Sequence, residues 1–158
     1  RSWSAASIGH YRPMSDAHVM FLAGGHAFAI ASCAVGAIHD NLKLQPVADV
    51  KSWFLGIAAV DGQLVPVTDL AGFLGLGKAA GRTLSISNEM GPGALRVDEV
   101  LGVDENPSKL EDARLPTTLL PVAEFFSHAL SSETGKHWVL DLPRLLQSDQ
   151  FINIGADA

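Results

Sequence analysis

The chain has 158 residues, a net charge of −6, 47% apolar and 18% charged residues, enough for one domain with a real core and unlike the polar, highly charged composition of a disordered chain. Its acidic balance argues against a nucleic-acid partner, whose phosphates require the opposite sign. Cys33 is the single cysteine, which excludes an intrachain disulfide and a cysteine-rich zinc cage, and no window approaches the roughly eighteen apolar residues of a membrane helix.

Residues 1–16 show no periodic pattern and are expected to be flexible, ahead of one domain over 17–152 and a tail over 153–158. The runs 19–23 and 26–30 flank Gly24-Gly25 and read as a hairpin, because glycine supplies the positive φ of a two-residue primed turn. The runs 55–60 and 63–69 around Asp61-Gly62 give the stronger signal of the same kind. That turn would pair Val60 with Gln63, Ala59 with Leu64, Ala58 with Val65, Ile57 with Pro66 and Gly56 with Val67. Both faces are then largely apolar, so the face of Ala58, Val60, Val65 and Val67 should meet a second layer or a partner. Pro66 lacks an N–H only toward the far side, which predicts an edge, rim or bulge there.

Leu70, Phe73 and Leu74 have helical spacing, and Gly75 or Gly77 would end the helix. An alternating strand over 82–88 follows, then a turn at Gly91-Pro92-Gly93 and a strand over 94–97. The six acids from Asp98 to Asp112 read as solvated charge, and Pro116 and Pro121 mark a loop. A last hairpin is expected over about 125–130 and 136–140, before a short helix capped by Asp141 with Pro143 in its first turn. Val67-Thr-Asp69-Leu70 is echoed by Val139-Leu-Asp141-Leu142. The echo predicts an all-β protein of two packed barrels, about 19–80 and 81–146, with little helix.

The run from Gly56 through Gly62, Pro66, Asp69 and Leu70 resembles the signature of CheW-like domains, roughly G-x-x-x-L-R-G-x-x-x-P-[VI]-x-D-L. Ala94-Leu-Arg-Val97-Asp98-Glu-Val100 is similar to the family's second recurrent strand, and the run from Trp138 to Leu146 to its closing strand and helix. Asp69-Leu-Ala-Gly72-Phe73-Leu74-Gly75 and the run 145–151 resemble the branch serving type IV pili and twitching motility. The resemblance implies a CheW-like double barrel of two Src-homology-3-like five-stranded units with short helices. It further implies no catalysis and a cytoplasmic location beside chemoreceptor arrays; none of the six histidines forms His-x-His or His-x-x-x-His, so no metal site is expected, and no cofactor is expected either. The implied role is an adaptor between the CheW-like regulatory domain of a CheA-like histidine kinase and the cytoplasmic tip of a methyl-accepting chemoreceptor. A general chemotaxis paralogue acting on flagellar signalling is the alternative within the family.

Asp61 stands where the family usually has Arg, Ala59 replaces a commonly polar residue, and the V-x-E-[IV] segment reads Val35-Gly36-Ala37-Ile38. An acid and a base are missing together, so charge-assisted receptor contacts at these positions would be lost. Gly56, Gly62, Pro66, Asp69 and Leu70 are also what a tight hairpin and a capped helix require, and they are read first as structural. The candidate protein-binding residues are therefore Val35, Ile38, Leu55, Ala58, Val60, Asp61 and Val65. The rival reading is a small enzyme with Cys33 as nucleophile beside His26 or His39, but no nucleophile motif surrounds Cys33, and a buried thiol is expected. Trp53 and Trp138 are expected as core or interface anchors.

Overall fold

The computed structural model describes residues 16–156. Residues 1–15 of the segment expected to be flexible lie outside that range. The chain opens with the hairpin β1 (His18–Ala23) and β2 (His26–Ala31), turned by Gly24 at φ +58° and Gly25 at φ +80°. One 3₁₀ turn, Ser32–Ala34, leads into β3 (Val35–His39). Next comes the hairpin β4 (Phe54–Val60) and β5 (Gln63–Asp69), with Asp61 at φ +49° and Gly62 at φ +80°, the primed turn that Asp-Gly favours. All five expected pairs of this hairpin are present, from Val60 with Gln63 to Gly56 with Val67.

Asp69 caps α1 (Leu70–Phe73), and Gly75 at φ +76° ends it as Leu76 N–H donates to the Ala71 carbonyl at 2.8 Å. Strands β6 (Thr83–Ile86), β7 (Ala94–Arg96), β8 (Glu99–Asp104) and β9 (Ser108–Leu110) follow. The proline-marked loop contains 3₁₀ turns over Thr117–Phe125, kinked at Val122. The closing hairpin is β10 (Phe126–Ser132) and β11 (Gly135–Leu140), followed by α2 (Leu142–Gln147) and α3 (Asp149–Ile152).

Two antiparallel-dominated sheets result, six strands in the order β9-β10-β11-β2-β1-β8 and five in the order β3-β6-β7-β5-β4. One sheet thus has six strands where five were expected, and the sheets do not divide the chain at residue 80. The β1–β2 hairpin belongs with the last third of the chain, because β2 runs parallel to β11, Phe28 opposite Trp138, and β1 pairs with β8. The barrel at 19–80 therefore loses its first hairpin and gains β6 and β7, which lie beyond residue 80. Long-range pairing of this kind leaves no trace in local alternation.

Both sheets turn an apolar face to one shared core, which includes Phe21, Phe28 and Trp138 from the larger sheet, Leu84 and Leu95 from the smaller, and Leu145 from α2. Asp141 caps α2 by accepting from the Arg144 N–H at 3.2 Å, with Pro143 in the first turn. Residues 154–156 do not extend as a free tail. The Lys51 N–H donates to the Ile154 carbonyl and the Ala156 N–H to the Asp49 carbonyl, while Phe151 stacks on Trp53 at 6.3 Å between ring centroids.

Candidate functional site

The β4–β5 hairpin lies at the edge of the five-stranded sheet, so its two faces and its outer edge have different fates. Ala58 and Val65 are 2% and 5% exposed and pack with Val67 and Ala94 inside the smaller barrel, under Leu42 and Leu44. They are core residues, which corrects their assignment as protein-binding positions: the loop between β3 and β4 supplies the second layer that this face needed. Val60 and Leu55 are half-buried against the same cluster.

The opposite face is the open one. Leu64 is 73% exposed, Ala59 is exposed, and Ile57 and Pro66 are half-buried beside them. Leu64 was missed because strict alternation says that the faces differ but not which one is covered. Pro66 lies one residue before β5 begins its parallel ladder with β7, Val67 opposite Ala94, so its absent N–H falls at the rim as expected. Close by in the fold, Phe54, Pro66, Met90, Pro92, Ile152 and Ile154 line an apolar groove of about 330 Å³.

Among the other proposed binding positions, Ile38 is 42% exposed on β3, Val35 is half-buried against the shared core, and Asp61 is exposed at the turn corner. β3 and β4 stand at opposite ends of the strand order, and no hydrogen bond or ion pair links Ala37 to Asp61 among the described residues. The candidate residues therefore separate into an exposed pair, Ile38 and Asp61, joined by the unpredicted Leu64, a half-buried group, Val35, Leu55 and Val60, and a buried pair, Ala58 and Val65, that builds the barrel.

The signature residues have structural duties. Gln45 and Ile57 exchange two backbone bonds at 2.8 and 2.9 Å across the strand edge. A Cβ on Gly56, at φ +136°, would lie 2.4 Å from the Gln45 carbonyl oxygen, so the pairing requires glycine. Asp69 is buried, and its carboxylate accepts from Gly72 N–H at 3.1 Å and Ala79 N–H at 3.0 Å, which ties the helix cap to the loop that follows. Leu70 is fully buried in the shared core.

Asp98 is more than solvated charge, since its carboxylate accepts from Gly24 N–H at 2.8 Å and Ala80 N–H at 3.1 Å and so clips the β1–β2 turn to the loop after α1. Cys33 is exposed, contrary to the expectation of a buried thiol, because in its short 3₁₀ turn Ala34 takes the inward position. No hydrogen bond to the Cys33 thiol occurs among the described residues, so neither His26 nor His39 is placed to act on it as a base; His26 contacts Thr118 and His39 contacts Ser85. Trp138 is in the shared core, and Trp53 packs edge-on to Phe73 at 5.1 Å. No helix among the described residues is long and apolar enough to cross a membrane.

A double barrel with a signature hairpin, a capped helix after it and an exposed apolar strand face defines a class, and the sequence places the chain in it: residues 17–150 match the CheW-like domain, and the chain belongs to that family. Among its relatives, the protein PilI of Pseudomonas aeruginosa is 28% identical over 134 residues, which span 82% of this chain and 74% of PilI. In fold it is similar to the crystal structure of the scaffolding protein TtCheW from Thermoanaerobacter tengcongensis, with a TM-score of 0.69, 18% identity, and coverage of 89% of this chain and 94% of that one.

Proposed function

We propose that the chain is a non-enzymatic chemosensory adaptor that couples a CheA-like histidine kinase to a chemoreceptor in the control of type IV pili. The carrying observation is the family match over 17–150 together with the likeness to PilI, which directs the reading to the pilus branch. The exposed face of Leu64, Ala59 and Pro66 on an edge hairpin supports a protein-binding role, since an apolar strand face at a sheet edge is suited to burial against another barrel. Binding to the kinase's own CheW-like regulatory domain would place this face at the centre of the interface, with Asp61 at its rim, where charge sets association rate and partner choice.

Isothermal titration of the purified chain against the regulatory domain of the kinase, and separately against a receptor-tip fragment, tests the reading. Saturable binding to the kinase domain that is lost in Leu64→Asp supports it. Binding to neither partner overturns the adaptor role and leaves the family assignment standing.

A further inference from the structure

The larger barrel has an open seam. β8 is the last strand in its sheet, and among the described residues no strand pairs with its outer edge. The Gly24-Gly25 turn sets the hydrogen-bond phase along β1, so that Ala23, Phe21 and Val19 exchange bonds with β2, and Ser32 N–H continues the phase by donating to the Ala17 carbonyl at 2.9 Å. Met20 and His18 therefore turn toward β8, where they face Gly102 and Asp104. Val103, between those two, directs its N–H and C=O away from the sheet, and its side chain is 58% exposed.

Beside this edge runs a groove of about 300 Å³, bounded by Met20, Leu101 and Gly102 and by the carboxylates of Asp104, Glu105 and Glu133. No lysine or arginine lines it. Met20 is buried and Leu101 packs on it, which makes that side of the groove apolar. Gly102, at φ +137°, leaves the strand without a side chain where another backbone can approach. The Ser132 hydroxyl, the Asn106 N–H and the charge of His18 hold the Asp104 carboxyl below its ordinary range, which favours its charged form.

We propose that this seam docks an extended segment of a partner protein carrying lysine or arginine at alternate positions, which adds as a strand along β8. Main-chain bonds at Val103 would fix its register, and its cationic side chains would meet Asp104, Glu105 and Glu133. Charge selects this occupant over a second copy of the chain. Two-fold pairing of β8 with itself would bring the three carboxylates of each copy into one seam, and like charges across paired strands repel. The site is separate from the β4–β5 face, so it stands whether or not the adaptor reading holds.

The test is an NMR titration of the ¹⁵N-labelled chain with an acetylated, amidated Lys-Val-Lys-Val-Lys peptide, with Glu-Val-Glu-Val-Glu as control. The lysine peptide should bind saturably, shift the Val103 amide and slow its hydrogen exchange about tenfold or more, while the glutamate peptide should not bind. Val103→Pro removes an N–H that the β1 ladder does not use, and should abolish binding without loss of the fold. Glu105→Gln combined with Glu133→Gln, both at exposed positions, should weaken binding about fivefold, as two exposed ion pairs would; this variant decides the matter if Val103→Pro does not fold. Binding that leaves Val103 unmoved, that survives in folded Val103→Pro, that keeps its full affinity in the double glutamine variant, or that is shared by the glutamate peptide overturns the proposal. So does self-association of the chain that protects Val103, which would put a second copy in the seam.

Discussion

The two Gly-turned hairpins, β1–β2 and β4–β5, start from nearly the same local chemistry and end in different roles. Both have two-residue primed turns and apolar strands on either side. β1–β2 lies in the interior of a six-stranded sheet, with β8 on one flank and β11 on the other, and its turn is packed against α1 and the loop after it. β4–β5 lies at the edge of the five-stranded sheet, and its turn projects into open space. A turn signal thus fixes register wherever it occurs, whereas position in the sheet determines whether the hairpin is scaffold or surface.

The largest expected effect breaks this comparison at the turns. A Cβ on Gly24 would lie 2.4 Å from the Leu76 Cβ, whereas one on Gly62 would meet nothing within 4 Å. Gly24→Ala adds overpacking to left-handed strain and should cost about 3 kcal/mol, against about 1 kcal/mol for Gly62→Ala, which carries the strain alone. Denaturant unfolding of both variants measures the difference, and equal losses would show that the Gly24 turn is not packed as described.

The second test separates the faces of one strand. Val65→Ala should destabilise by about 2 kcal/mol through the cavity it leaves, while Leu64→Ala should be neutral in stability and weaken the kinase-domain complex about tenfold. A neutral Val65→Ala would return that face to the surface. Asp61→Arg comes next: the turn corner is exposed, so its stability cost is only that of a longer side chain at φ +49°, about 2–4 °C of melting temperature or less, and it should change the preference between kinase domain and receptor tip. A large thermal loss would contradict the exposed placement.

The smallest effect is the dependence of stability on pH in the sheet that holds β1–β2. Burial, then the charges of Lys109 and His18, hold the pKa of His128 below its ordinary 6.5. Unfolding restores the ordinary value, so the unfolded chain binds more protons, and stability is full above that pKa and falls as pH drops toward the folded one. Asp104, also lowered, adds stability above its ordinary 3.8 that is lost as pH falls through its folded value. Thermal melts of His128→Asn should flatten the loss between about pH 7 and pH 5 and keep the loss at lower pH. An unchanged slope would remove His128 as its source.

Local chemistry made much of this molecule legible in advance. Asp61-Gly62 set the pairing of β4 with β5 residue by residue, Asp69 and Asp141 marked the starts of α1 and α2, and Gly75, one of two candidate glycines, ended α1, because turns and caps are satisfied within a few residues. The exposed Leu64 and the inward Val65 were not separable, since an apolar residue on either face of a strand looks alike until something covers one of them. Asp98 looked like surface charge because its two N–H donors, on Gly24 and Ala80, come from distant loops. Sequence by itself determined an all-β chain of capped helices and registered hairpins, together with its CheW-like family. Only the tertiary structure decided that β2 runs beside β11, that residues 154–156 fasten to 49–51, and that β8 ends its sheet with no strand on its outer edge among the described residues. These are contacts between segments far apart in the chain, chosen by which faces and edges remain uncovered once the local pieces have formed.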